Sequence, residues 1–333
     1  GEESIVRQCR HIRQAAALYS EMPAPQQAVF LGRAGQAGLD SAAVKVSDVR
    51  KASTAGSRRG RRTHATEANE DTLFGISTLN KFGLPFGAAL SDADSLHPHC
   101  PKCRHLILVE GLPAHTRLWT WQCHMARCAG KGGQVNRVHT DLKVAVRQHV
   151  FLAADPAGPI VRRGRDIQYE ERGLAGSSSR RRPGDVTTAD PGCPLQVKLV
   201  MDGTTASCLK SSSLDLSSIS PDEVMYKAEL KKFRDDRAAA RPVQDDPAMR
   251  LIPLATNQFG RRGWHFEALL TELAYYLVDR PSGCHLLEGT FAMSEHSAAF
   301  HIKKRWGARL TWTVERAHAL NTYSALLAYC CSD

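Results

Sequence analysis

The sequence predicts an α/β fold, a mixed sheet flanked by helices, preceded by a helical N-terminal arm and a zinc knuckle. Three observations carry this expectation. Apolar residues recur at helical spacing after His139 (Leu142, Val146 and Val150); two short apolar runs, Leu195 to Met201 and Met249 to Thr256, have the length of strands; and helical periodicity resumes from Trp264 and again from about Ser294. Helix, strand, strand, helix, strand, helix is an α/β order.

The elements follow along the chain. Residues 1–50 read as a helical arm rich in Ala and Gln, interrupted at Pro23 and Pro25. Residues 51–72 are rich in Ser, Thr, Gly and Arg with almost no large apolar side chain, which is the composition of a basic flexible linker. Residues 73–138 form a pre-knuckle segment and the knuckle, 139–285 the α/β domain, and 286–333 a C-terminal helix. Within the α/β domain a helix is expected from His139 to Ala154, and strands at Ile160-Val161 and at Leu195 to Met201, the second closed by an Asp202-Gly203 turn. The Ser-rich stretch 204–220 reads as a loop. Ser220-Pro221-Asp222-Glu223 is a helix start, with Ser as cap, Pro in the first position and acids in the first turn. The final helix carries Trp306, Leu310, Val314 and Ala317 on one stripe.

A chain of 333 residues with 42% hydrophobic content can bury a full core. Its longest apolar runs, such as Val144 to Val146, fall far short of a membrane span, so a soluble protein without membrane insertion is expected. The net charge of +10, from 44 Lys and Arg against 34 Asp and Glu, favours a polyanionic partner, with nucleic acid the first choice and an acidic membrane surface second. The basic residues cluster at Arg58 to Arg62, Arg162 to Arg165, Arg180-Arg181-Arg182, Arg261-Arg262 and Lys303 to Arg305.

Ten cysteines, several of them between Cys100 and Cys128, fit a metal site in a reducing intracellular compartment better than a disulfide scaffold. Cys100 and Cys103 form one ligand pair and His124 and Cys128 another, each able to span one edge of a tetrahedron around a structural zinc. Cys123 could replace His124, and His97 and His99 stand near enough to compete. Cys9, Cys193, Cys208, Cys284, Cys330 and Cys331 are expected to be ordinary thiols. Arg7, Arg10 and Arg13 lie on a helix-like pattern, but Glu2 and Glu3 argue against a transit peptide. A start at Gly1 instead of Met is expected of a processed chain or a fragment.

Taken in order, the Cys100 to Cys128 cluster, Arg137-Val138-His139 and Arg182-Pro183-Gly184-Asp185-Val186 resemble the zinc-knuckle and restriction-endonuclease-like region of site-specific non-LTR (LINE-type) retrotransposon proteins. Leu79 to Pro85 and Leu251 to Gly260 add to the likeness, which covers roughly residues 75–329 and includes no polymerase motif.

The resemblance implies a core in which two carboxylates hold Mg²⁺ and a lysine assists. Asp185 takes the first acidic position, Glu171 or its neighbour Glu170 the early helix carboxylate, and Lys227, Lys231 or Lys232 the downstream lysine helix. Arg137 and His139 stand where the family carries a basic-His pair near the cleavage site, and Arg180, Arg181 and Arg182 join them as nucleic-acid contacts. The second carboxylate is expected at the centre of the Val197-Lys198-Leu199 strand, where Lys198 stands. Asp202, or Gln196 as a neutral ligand with Lys198 as the assisting lysine, would require a strained register.

A lysine in the pocket would repel the cation. The expected activity is therefore nucleic-acid binding without cutting, as a structural subunit of a larger ribonucleoprotein such as an organellar ribosome, with other proteins of that assembly as partners and a mitochondrial or nuclear location. The alternative is a Mg²⁺-dependent DNA-nicking endonuclease of a retrotransposon.

Overall fold

The computed structural model describes Ser20, Glu21 and Gln27 and residues 70–81, 99–100, 103–104, 106, 114–125, 128, 134–151, 167–169, 184–188, 195, 197–207, 211–235, 240–278 and 294–330. The expected N-terminal arm, most of the basic linker, the Ile160-Val161 strand, Glu170, Glu171, Arg180, Arg181, Arg182 and Gln196 lie outside the described residues.

Among the described residues the fold is mixed α/β. In chain order the elements are α1 (Glu70–Lys81), α2 (Ala114–Met125), α3 (Gln134–Ala145), β1 (Ile167–Tyr169), β2 (Val186–Thr188), β3 (Lys198–Ala206), α4 (Ser211–Ile219), α5 (Pro221–Asp235), α6 (Ala240–Asp245), β4 (Met249–Asn257), α7 (Trp264–Val278) and α8 (Glu295–Cys330). A single π-helical stretch, Val146–Phe151, continues α3. No described helix is long and apolar enough to cross a membrane.

The sheet has the order β1-β2-β3-β4, with antiparallel pairing from β1 through β3 and parallel pairing of β3 with β4. A parallel pair needs a crossover, and α4, α5 and α6 supply it. The alternation of side chains along β3 and β4 then separates two cores. Leu199 and Met201 of β3 and Ile252 and Leu254 of β4 pack with α3, α7 and α8 through Leu142, Val146, Phe266, Leu270, Trp306 and Leu310. Val200 and Leu251 point the other way, against Val243 of α6 and Phe233 of α5. Covered on both faces, these strands are almost wholly buried. Pro253 has no N–H to give to a ladder, and its place in β4, at the end of the strand order, tolerates that.

Trp306, Leu310, Val314 and Ala317 all enter the main core, so α8 is integral to the domain. Helix α8 also holds the elements ahead of the sheet. Leu73 and Ile76 of α1 pack on its Ala319, the Phe74 ring lies 5.7 Å from Trp312, and Leu118 and Trp121 of α2 cluster with Ala325.

Three expectations change. The helix expected from His139 begins earlier, at Gln134. Asp202-Gly203 is not a turn: β3 runs from Lys198 through both residues to Ala206, because Thr204 and Thr205 pair with Ala255 and Thr256 of β4 and so satisfy their backbone in the sheet. The Ser-rich stretch is not one loop either. Ser211–Ile219 is helical, with Ser213 Oγ donating to Ser207 O at 2.6 Å and Leu216 packing on the Val224 and Met225 cluster. Burial of that apolar side overrides the poor helix propensity of serine.

Candidate metal centres

The knuckle is built from a tight turn and a helix end. Arg104 N–H donates to Cys100 O at 2.9 Å and Cys103 N–H lies 3.5 Å from Cys100 Sγ, while His99 and Leu106 form an isolated antiparallel bridge across the turn. Closing this turn puts Arg104 at φ 65°, a conformation uncommon for a residue with a side chain. Helix α2 brings His124 to its last turn, and Cys128 follows shortly after.

The result is a quartet. Cys100 Sγ lies 3.5 Å from Cys128 Sγ and Cys103 Sγ lies 3.3 Å from His124 Nε2, with all four ligand atoms within 4.8 Å of one another. Thiolates at about 2.3 Å from zinc in a tetrahedron stand roughly 3.8 Å apart, so the group is compatible with zinc. Cys100 and Cys128 are buried, and Leu118, Trp121 and Met125 pack around them. Cys123 is excluded from the quartet by its neighbours, since it packs with Trp119 and Phe259.

A second group of ligand-type side chains gathers at the sheet: His139, Asp185 and Asp202, again within 4.8 Å. The pairing of Val186 with Met201, and the 2.7 Å bond from Asp185 N–H to Met201 O, put Asp185 opposite Asp202 at the next step of the β2–β3 ladder. His139 reaches the same point from α3, with Nε2 2.6 Å from Asp185 Oδ2, and Lys143, one turn further along α3, lies 3.9 Å from Asp185 Oδ1. From the other face, Lys232 of α5 lies 2.8 Å from Asp202 Oδ2.

Gly203 makes the convergence possible. Its N–H donates to Asp185 Oδ2 at 2.7 Å, and a Cβ there would stand 2.8 Å from His139 Cδ2 and 3.2 Å from Asp185 Oδ2. The imidazole and the carboxylate occupy the space that a side chain would need.

The two carboxylates are not equivalent. Burial pushes Asp202 up to about 6 from 3.8, reinforced by the Asp185 carboxylate and opposed by Lys232. Burial also acts upward on Asp185, but the hydrogen bond and charge of His139, with the Gly203 N–H and the Asp202 side chain, hold it below its ordinary value. Of the two facing acids, Asp185 is thus the more easily ionised and Asp202 the more reluctant.

The remaining sequence-based site residues are placed as follows. Lys198 lies apart from the His139, Asp185 and Asp202 group. It opens β3 and pairs with Met249, four residues or roughly 13 Å of strand from Asp202. The strand runs further than its apolar stretch, so its centre was mistaken. Lys227 and Lys231 are exposed on α5, with Lys227 3.1 Å from Glu223, and it is Lys232 that turns toward the acids. Arg137 and His139 diverge: Arg137 donates to Asn321 of α8 at 3.0 Å. Asp202, which the sequence offers to the site only through a strained register, faces Asp185, and Lys143, a cation one helical turn from His139, joins them.

Comparison of the chain with protein-family models, with curated proteins and with solved structures gives no match.

Proposed function

We propose that this protein is a divalent-cation-dependent phosphodiesterase acting on nucleic acid, with a restriction-endonuclease-like core and a structural zinc in its knuckle. The observation that carries the reading is the facing pair Asp185 and Asp202, with His139 on one side and Lys232 on the other. The two carboxylates are an oxygen donor set for Mg²⁺ or Mn²⁺, with His139 beside them and hydrogen-bonded to Asp185.

A cation held there supplies charge neutralisation at the phosphate and an acidified water. The chain's own groups do the rest. Asp185 and Asp202 orient the donor oxygens, and the Gly203 N–H fixes Asp185 in place. Hydrolysis joins a water oxygen to phosphorus and breaks one phosphorus–ester oxygen bond, so a proton must leave the water and another must reach the departing oxygen. His139, half-buried and hydrogen-bonded to Asp185, is placed to accept a proton, and Lys232 and Lys143 add positive charge beside the acids. The net charge of +10 supports a polyanionic substrate.

Cys100, Cys103, His124 and Cys128 hold the structural zinc in this reading, since four donors leave no open position for chemistry. The test is nicking of supercoiled plasmid with Mn²⁺ or Mg²⁺. Nicking is expected from the natural chain, lost in Asp185→Ala and in Asp202→Ala, and retained within a few-fold in Lys198→Met. Tight plasmid binding without nicking under either cation would return the protein to a binding subunit.

A further inference from the structure

Four of the five tryptophans, Trp119, Trp121, Trp306 and Trp312, are buried in the core, whereas Trp264 is 75% exposed at the first position of α7. A single exposed apolar side chain is ordinary, and it is the surroundings of Trp264 that give it meaning. The segment from Arg261 to His265 is clamped along one stripe of α5. Arg261 Nε and Nη2 donate to Asp222, the His265 N–H and Nδ1 meet Glu229 at 3.0 and 2.9 Å, and the Phe233 ring lies 5.0 Å from the His265 ring. Asp222, Glu229 and Phe233 recur at helical spacing, and Tyr226 stands between the first two on that stripe. Tyr226 is 51% exposed. The clamp therefore presents two open aromatic rings along one seam between α5 and the start of α7.

Among the described side chains, the exposed arc of α5 next to Tyr226 is basic toward its C-terminal end, with Lys227, Lys231 and Arg234, and its acids lie in the first turn, where Asp222 is bound to Arg261 and Glu223 to Lys227. One residue past Lys231 is Lys232, which reaches Asp202. Aromatic faces followed by cations, on the helix that also contributes to the acidic centre, are the elements of a track for an unpaired strand: bases stack on rings, and phosphates meet the cations. A duplex keeps its bases stacked on one another and offers no base face to Tyr226 or Trp264.

We infer that the seam between α5 and α7 binds single-stranded nucleic acid, with bases stacked on Trp264 and Tyr226 and backbone phosphates on Lys227, Lys231 and Arg234. This rests on the nucleic-acid reading of the acidic centre and adds to it a site for an unpaired strand. It also gives the exposed tryptophan, the most solvent-open of the five, a direct optical readout.

The test uses the full chain and an oligothymidylate of about 15 nucleotides, with a duplex of the same length alongside. Binding is followed twice, by anisotropy of a labelled strand and by tryptophan emission. The single strand is expected to quench emission, the Trp264→Phe variant to lose that quenching while still binding, and Trp264→Ala with Tyr226→Ala to bind the single strand about tenfold more weakly with duplex affinity unchanged. Lys227→Gln with Lys231→Gln should lower the salt dependence of binding. Single-strand binding by anisotropy without change in tryptophan emission, or equal losses for single strand and duplex, overturns the seam while leaving the acidic centre standing. Absence of binding to either form overturns both.

Discussion

Asp185 and Asp202 face each other at the end of the β2–β3 ladder, and His139 is bonded to Asp185 at 2.6 Å while Lys232 is bonded to Asp202 at 2.8 Å. Each acid is thus held by a cationic or proton-bearing partner from a different helix, α3 on one face of the sheet and α5 on the other. The pair is a meeting point of three layers, and its geometry depends on the backbone of β3.

That dependence gives a first prediction. Gly203→Ala changes no ionisable group, yet its Cβ would stand 2.8 Å from His139 Cδ2, closer than real structures allow, and tightly against Asp185 Oδ2 at 3.2 Å. Cation-dependent nicking should fall about 100-fold, as displacements near 1 Å do in active sites, while the melting temperature falls only modestly. Nicking at the natural rate in a folded Gly203→Ala protein would show that His139 need not sit where it does.

The knuckle should contain one zinc per chain. Cys103→Ser should release it and loosen the packing of α2 on α8, read as a lower melting temperature and exposure of Trp121; Cys123→Ser, whose sulfur packs with Trp119 and Phe259, should keep the metal. Elemental analysis of the purified variants distinguishes the two outcomes.

The raised Asp202 sets a pH window. Its folded value of about 6 exceeds 3.8, so it binds its proton more tightly when folded. The stability it contributes is full below about pH 3.8 and is lost as the pH rises through about 6. Asp185, held low, contributes stability above 3.8 that is lost only on acidification, so it does not move within that window. Compared with Asp202→Asn, the natural chain should lose stability between pH 4 and 7 in cation-free buffer. Added Mn²⁺ should reverse the loss at pH 7 and have little effect at pH 5. Denaturant titrations across that range measure both.

Arg262 illustrates a buried charge with a structural task. Its side chain is 1% exposed and bonds Glu267 at 2.6 Å, Gly307 O at 3.2 Å and Thr311 Oγ1 at 3.0 Å, tying the turn after β4 to α8. Gly260 in the same turn has φ +78° and lies against Thr311. Arg262→Ala leaves the half-buried Glu267 with Lys303 as its remaining cation and should cost about 1–3 kcal/mol in denaturant unfolding.

The Cys/His quartet was legible because its spacing is local: Cys100 and Cys103 span one turn, and His124 and Cys128 one helix end. Strand β4 and helices α5, α7 and α8 were legible because apolar density or capping residues mark them. Asp202 was not. Asp-Gly is ordinarily turn chemistry, and here it lies mid-strand because β4 offers a parallel partner through Asn257. That pairing is set by residues about fifty positions away, so a local pattern ended β3 too soon and moved the expected second acid to Lys198. The same long-range packing turned Ser211–Ile219 into a helix. Cys123 and His124 could not be separated by spacing alone, and the neighbouring Trp119 and Phe259 decide between them.

The central claim is that Asp185 and Asp202 together form a cation site. Its most direct measurement is Mn²⁺ binding to the full chain at pH 7.5 by calorimetry, for the natural protein, Asp185→Asn, Asp202→Asn and Lys198→Met, with the knuckle zinc in place. One site is expected in the natural protein and in Lys198→Met, weakened at least tenfold in each Asn variant. Equal affinity in all four proteins, or a site strengthened only when Lys198 is removed, would contradict the account.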